Sequence, residues 1–151
     1  MERRLLWKMK KYKFNNHAHS TVTDGELTPQ EIVELAERSN MLFSITDHLR
    51  IDAYDLIDSD RIIPGIEVKV CEGGVDFLVH TNTREQLEEF FRKVVEPANP
   101  GNTMYGPTQL RVHQLLGEAF ERGHHVIVPH FSNAEGLSVL DTDAQEAVGQ
   151  Y

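Results

Sequence analysis

The stretch from Tyr12 to His19 reads YKFNNHAH, a β-like run that ends in two histidines separated by one residue. Side chains at positions i and i+2 of a strand point to the same face, so His17 and His19 are both predicted to face one ion. Asp24-Gly25 follows in a predicted turn that brings a carboxylate back over the same pocket. This stretch therefore predicts a strand that delivers ligands to a metal centre.

The same arrangement recurs further along the chain. Apolar runs that resemble strands precede three more histidines, and these are Met41–Ile45 before His48, Val75–Val79 before His80, and Val126–Pro129 before His130. The predicted strands would all end at one rim, which corresponds to the C-terminal face of a parallel barrel. At that face, loops carry catalytic groups on a rigid frame. The alternation of strand-like and helix-like segments also predicts an α/β fold with a parallel sheet.

Three helices are predicted from capping residues and apolar spacing. The first has Thr28 as N-cap, Pro29 at the first helical position and Glu31 completing a capping box. The second and third bury apolar residues at helical spacing. The predicted limits of the three helices are Thr28 to Asn40, Thr83 to Pro97, and near Thr108 to Gly123.

Length and charge limit the possible functions. The 151 residues suffice for one domain with one core. The net charge is −9, and Met1–Lys13 is basic, so the rest of the chain is more acidic still. An acidic domain disfavours binding of nucleic acid, except as a substrate, because both carry negative charge. Bound divalent ions would make the local charge positive. We expect a flexible basic leader at residues 1–11 and a metal-binding domain at residues 12–151.

The sequence also predicts the compartment. Cys71 is the single cysteine and cannot form an internal disulfide, which favours a reducing environment and excludes thiolate zinc clusters. Neither a bilayer-spanning apolar stretch nor a signal region is present in the sequence. We therefore expect a cytoplasmic protein that does not contact a membrane.

A set of imidazoles and carboxylates suits Zn, Mn or Fe better than Ca or Mg. Each of these residues alone has an ordinary structural explanation, but their joint placement at strand ends is hard to obtain from packing. The candidate metal ligands are His17, His19, Asp24, His48, Glu67, His80 and His130.

The combination resembles the polymerase and histidinol phosphatase (PHP) family in order and spacing from about residue 12 to 133. The segments that carry the resemblance are His17-Ala18-His19-Ser20, Asp24-Gly25, Thr28 to Ala36, Thr46-Asp47-His48, Ile63-Pro64-Gly65-Ile66-Glu67, His80, and Pro129-His130. The resemblance implies a distorted seven-stranded β/α barrel with two or three Zn, Mn or Fe ions. These ions hydrolyse phosphoester bonds with a metal-activated water.

The resemblance also implies a role for each ligand. His17 and His19 hold a first ion, and Glu67 bridges it to a second. The second ion is completed by His80 and His130, and a third uses Asp24 and His48 with Asp47 in support. Glu67 and Asp47 are the expected catalytic residues.

The chain departs from the family at one point. Members carry a further Asp-x-His pair near the C-terminus, and nothing after His130 matches it, since Asp141-Thr142-Asp143 contains no histidine. We therefore expect that the last units of the barrel are absent. Exposed barrel edges would then favour homo-oligomers.

Three functions compete at this stage. The first is a phosphoesterase acting on a phosphomonoester or phosphodiester of a small metabolite or nucleotide. The alternative is a non-catalytic or truncated PHP-like metal-binding module of a larger assembly. The third is an amidohydrolase-like enzyme, which would use a metal-bridging lysine, and Lys69 lies two residues beyond Glu67.

Overall fold

Five strands form one curled sheet in the computed structural model, which describes residues 12–132 and 134–150. The predicted basic leader, residues 1–11, lies outside the described residues. The strands follow the chain order across the sheet. They are β1 (Lys13–Ala18), β2 (Met41–Ile45), β3 (Ile62–Lys69), β4 (Asp76–His80) and β5 (His125–Ile127).

Four α-helices accompany the sheet in the described residues, so the fold is mixed α/β as the sequence predicts. They are α1 (Pro29–Ser39), α2 (Arg84–Phe90), which continues as a π-helical segment (Phe91–Val95), α3 (Val112–Glu121) and α4 (Thr142–Gly149). Short 3-10 helices cover Asp52–Asp55 and Leu137–Val139. None of the helices in this part of the chain is both long and apolar enough to cross a membrane.

The predicted capping of α1 is confirmed. The Thr28 side chain accepts a hydrogen bond from the Glu31 N–H, and the Glu31 carboxylate accepts one from the Thr28 N–H. Asn40 ends the helix in the left-handed conformation, with φ of 51°. The predicted limits of α1 therefore follow from local chemistry alone.

The third helix starts later than predicted. Thr108 donates from both its N–H and its Oγ1 to the carbonyl oxygen of Lys69, at 2.9 and 2.7 Å. These bonds hold the segment beside the end of β3, and Arg111 is still extended, with ψ of 159°. The helix therefore begins at Val112.

The prediction of a parallel sheet is wrong for β4. β1, β2 and β3 are parallel, whereas β4 pairs antiparallel with both β3 and β5. Only Val70 to Val75 separate β3 from β4, and a parallel connection needs a crossover of roughly a dozen residues or more. The chain instead turns back through Gly73 and Gly74, whose φ values of 65° and 67° suit glycine.

The reversal of β4 decides which residues reach each end of the sheet. β1, β2, β3 and β5 run in one direction, so their C-terminal ends meet at one edge, which we call the rim. At the rim, β4 contributes its first residue, Asp76, which pairs with Lys69. Its last residue, His80, pairs with Gly65, four residues and roughly 13 Å further along the strand.

One apolar core lies between the sheet and the helices. It includes Ile45, Ile66 and Phe77 from the sheet, with Leu87 and Leu115 from the helices, all fully buried. The core fixes β2, which leads into His48, and β3, which contains Glu67. These two candidate ligands therefore stand on a rigid frame.

Candidate metal centre

Three side chains converge on one point at the rim. His17 Nε2 and His19 Nε2 are 2.9 Å apart, and they lie 3.4 and 2.8 Å from Oε2 of Glu67. The three atoms belong to a group of ligand atoms within 4.8 Å of one another. The structure thus brings together the residues predicted for the first ion.

Glu67 is the most informative of these residues. Its side chain is 1% exposed, and neither carboxylate oxygen has a hydrogen-bond partner among the described residues, despite the short contact with His19. A buried carboxylate without hydrogen bonds is costly. This observation predicts a further partner for both oxygens, and a cation is the partner that the surrounding imidazoles can share.

The two oxygens of Glu67 face different ligands. Oε2 lies near His17, His19 and also His48, whose Nδ1 is 3.1 Å away. Oε1 faces His130, with 4.0 Å between Oε1 and Nε2. The two oxygens of the carboxylate are therefore directed at different histidines, and the bridging role of Glu67 stays a prediction.

A bulge in β1 sets the direction of the first two histidines. Asn15 pairs with Phe43 and Ala18 with Ile45, so β1 has one residue more than β2 over this interval. Bulges of this kind bend a strand and redirect its side chains. His17 lies in the bulge, and His19 follows the end of β1.

The loop after His19 depends on Gly25. A Cβ atom at position 25 would lie 2.0 Å from the carbonyl oxygen of His19, so no other residue fits this turn. The turn places Asp24 Oδ1 2.6 Å from His19 Nδ1 and Oδ2 3.5 Å from His48 Nε2. Asp24 and His48, the residues predicted for a third ion, are therefore neighbours, and Asp24 also orients the His19 ring.

Asp47 lies behind the cluster and does not face it as a catalytic residue would. Its buried carboxylate accepts hydrogen bonds from the Ser20 N–H, the Ser20 hydroxyl and the Thr23 hydroxyl, at 2.7, 2.6 and 2.7 Å. These bonds hold the loop that carries His19 and Asp24. This geometry suits a positioning role for Asp47, and its catalytic role stays a prediction.

His80 does not join the cluster. Its Nε2 donates to the carbonyl oxygen of Asn16 at 2.9 Å, its side chain packs against Gly65, and it belongs to no candidate ligand group in the described residues. Because β4 is reversed, Asp76 pairs with the last residue of β3, and His80 pairs with Gly65 further back along that strand. The assignment of His80 to the second ion stays a prediction, and the structure does not bring His80 into a candidate ligand group among the described residues.

Asp76 occupies the place at the rim that the sequence reasoning gave to His80. It belongs to one candidate group with His48 and Glu67 and to another with His130 and Glu135. The short connection at Val70 to Val75 was the signal that could have identified it, because that length requires a hairpin and brings the start of β4 to the rim. Glu135 was also not predicted.

The charges at the cluster perturb one another. Burial raises the pKa of Glu67, but contacts with His17 and His19 outweigh this effect and lower it to about 2. Burial lowers the pKa of His19, but Glu67 and Asp24 raise it to about 9. Without metal, His19 is thus an imidazolium beside an ionised Glu67 at neutral pH.

A loop tethered to the cluster covers one side of it. Arg50 donates to the carbonyl oxygens of Leu49, Asn102 and Thr103, at 2.8, 2.9 and 3.3 Å. The same loop places the half-exposed Tyr105 ring edge-on to His48, with 5.4 Å between ring centroids. Arg50 is therefore engaged in holding this loop.

The chain is distantly similar in structure to a solved protein. No protein-family model and no curated protein matches the chain. One solved structure that matches is a Bifidobacterium adolescentis protein described as an inferred metal-dependent phosphoesterase, with 18% identity and a TM-score of 0.42. The match covers 93% of this chain and 51% of that protein, so this chain spans about half of its length. Similarity at this level does not establish a shared family.

Proposed function

We propose that the chain is a metal-dependent phosphoesterase of the PHP type, which hydrolyses a phosphomonoester or phosphodiester of a small metabolite or nucleotide with metal-activated water. The single observation that carries the proposal is Glu67. Its buried carboxylate has no hydrogen-bond partner among the described residues and is surrounded by His17, His19, His48 and His130. Its position between two groups of ligands suits a bridging ligand.

The spacing of the ligand atoms fits an ion. Two ligands that each lie about 2.1 Å from one metal are about 3.0 Å apart in octahedral and about 3.4 Å apart in tetrahedral coordination. The separations between His17 Nε2, His19 Nε2 and Glu67 Oε2 run from 2.8 to 3.4 Å. The imidazole and carboxylate donors suit Zn, Mn or Fe.

The number of ligands favours catalysis over a purely structural site. The group of His17, His19 and Glu67 offers three protein ligands, and catalytic sites keep a position open for water, whereas structural zinc sites are usually closed by four. When bound, ions in this cluster would supply a hydroxide at neutral pH and stabilise charge on a phosphoryl group. This argument disfavours the alternative of a non-catalytic module.

The chain's own residues would hold and orient these ligands. Asp24 at Nδ1 of His19 keeps the Nε2 nitrogen directed at Glu67, and Asp47 fixes the loop between them. Tyr105 borders His48 on the loop that Arg50 tethers. A substrate would approach the cluster beside this loop.

Two observations favour an anionic ester over an amide. Lys69 donates to Asp76 and Glu135, and although burial lowers its pKa, these hydrogen bonds raise it. A protonated lysine cannot take the bridging, carboxylated form that an amidohydrolase-like centre would use, and Glu67 already occupies the bridging place. Because the cluster is rich in carboxylates, positive charge for a phosphate would come from bound ions.

The test is hydrolysis by the purified chain with added Mn²⁺ or Zn²⁺, assayed on a panel of phosphomonoesters, phosphodiesters and amides. Phosphoester turnover that requires metal, and that is lost in Glu67→Gln, supports the proposal. His113→Ala is the matched control, since His113 is exposed on α3. Amide hydrolysis without phosphoester hydrolysis would contradict it, and metal binding without any turnover would support the non-catalytic module.

A further inference from the structure

Asp76 has a buried carboxylate, and one of its two oxygens accepts a hydrogen bond. Oδ2 accepts a hydrogen bond from Nζ of Lys69 at 2.9 Å, and the side chain has no exposed surface. Oδ1 has no hydrogen-bond partner among the described residues. A buried oxygen without a hydrogen-bond partner costs the full free energy of its removal from water.

Lys69 fixes the orientation of Asp76. Its ammonium group also donates to the Gly74 carbonyl oxygen at 3.1 Å and to Glu135 Oε1 at 3.0 Å, which uses its three N–H groups. The backbone N–H of Asp76 donates to the Glu135 carbonyl oxygen at 3.1 Å and holds the loop after His130 against β4. Asp76 is thus positioned before any ligand binds.

The ligand atoms near Asp76 are mostly oxygens. A carboxylate oxygen of Asp76, a nitrogen of His130 and a carboxylate oxygen of Glu135 lie within 4.8 Å of one another. Oε1 of Glu67 faces His130 at 4.0 Å and likewise has no hydrogen-bond partner in the described part of the chain. The carboxylates of Asp76 and Glu67 are therefore both buried and both near His130, and each has an oxygen without a hydrogen-bond partner among the described residues.

The charges at this position do not balance. Asp76, Glu67 and Glu135 contribute three negative charges when ionised, whereas Lys69 and, without metal, the His19 imidazolium contribute two positive charges. A divalent cation would compensate the difference, and buried charges require such compensation.

We propose that Asp76, His130, Glu135 and Oε1 of Glu67 form a second cation position that prefers a hard divalent ion such as Mn²⁺. Carboxylates suit Mn²⁺, whereas the two imidazoles of His17 and His19 give the first position more affinity for Zn²⁺. This inference rests on the proposed function, because Glu67 is shared by both positions. It assigns to Asp76 the ligand place that was predicted for His80.

The experiment measures bound Mn²⁺ per chain by equilibrium dialysis and elemental analysis, without reference to activity. Wild type is compared with Asp76→Asn, Glu135→Gln, His80→Ala and His17→Ala. Asp76→Asn should remove one bound ion per chain, and Glu135→Gln should weaken the same ion roughly 10- to 100-fold. Because Glu135 is half exposed, its substitution should leave the fold intact if Asp76→Asn does not. His80→Ala should retain the wild-type stoichiometry.

The outcomes separate this inference from the proposed function. If His17→Ala loses an ion while Asp76→Asn and Glu135→Gln bind as wild type does, the second position is refuted and the first survives. Loss of the second ion in His80→Ala alone would return the ligand place to His80 and overturn the inference. If wild type binds no metal, both proposals fail.

Discussion

The rim and the C-terminal end of β4 differ in chemistry although each carries histidines. At the rim, His17, His19 and His48 surround a carboxylate, and their ring nitrogens lie within 3.4 Å of its Oε2. At the C-terminal end of β4, His80 lines an apolar groove with Phe14, and its Nε2 donates to the backbone carbonyl oxygen of Asn16. A histidine at a strand end is therefore a ligand candidate only when the strand's direction brings it to the rim.

The largest effect is expected at the rim. Substituting His17→Ala or Glu67→Gln should reduce metal-dependent phosphoester hydrolysis by roughly 100-fold or more, because each change removes one of the three residues proposed to hold the first ion. Initial rates at saturating Mn²⁺ measure this effect. Equal rates in wild type and Glu67→Gln would refute the assigned centre.

A smaller loss is expected behind the rim. Asp47→Ala should reduce turnover about tenfold and lower the free energy of unfolding by about 3 kcal/mol, since the loop before Asp24 loses its buried hydrogen-bond acceptor. Steady-state kinetics and urea unfolding measure the two effects. Asp58→Ala, at an exposed position, is the control. If Asp47→Ala were as inactive as Glu67→Gln while fully folded, Asp47 would be a catalytic residue.

The C-terminal end of β4 should behave differently from the rim. His80→Ala should lower the free energy of unfolding by about 1 to 3 kcal/mol, because a buried side chain is removed and the partly buried Asn16 carbonyl oxygen loses its donor. Metal content and turnover should stay within about twofold of wild type, since His80 is outside the candidate groups in the described residues. Loss of metal without loss of stability would remove the distinction between His80 and the histidines of the rim.

The smallest expected effect is the release of a proton when metal binds. The pKa of His19 is about 9 without metal, whereas burial lowers the pKa of His80. A metal binds only the neutral ring, so binding at pH 7.5 should release about one proton from His19. Affinity should therefore rise with pH up to about 9 and level off above it. Calorimetry in buffers of different ionisation enthalpy measures the release, and its absence would mean that His19 is not a ligand.

Features of the fold that depend on contacts within one element could be predicted, whereas the direction of a strand was harder to predict. The limits of α1 follow from Thr28, Glu31 and Asn40, which act within one helix, and the sequence was sufficient for them. The direction of β4 depends on the Val70–Val75 connection, and periodicity alone does not reveal direction. The hairpin length contained the necessary information.

The predictability of the site followed the same division. The candidate ligands on the parallel strands lie close to Asp24 and His130 at the rim, and their binding of metal stays a prediction. Asp76 was missed because an aspartate at the start of a strand has many ordinary structural explanations. Its value as a candidate depends on Lys69 and Glu135, which are brought to it only by the folded chain.

The most direct test of a metal centre at the rim is anomalous X-ray diffraction from crystals of this chain grown with Mn²⁺ or Zn²⁺. We predict a peak about 2.1 Å from His17 Nε2, His19 Nε2 and Glu67 Oε2, bonding distance for such ions. Its appearance there would establish Glu67 as a metal ligand and the rim as the centre. A fully occupied ion at His80, with none at Glu67, would contradict the account.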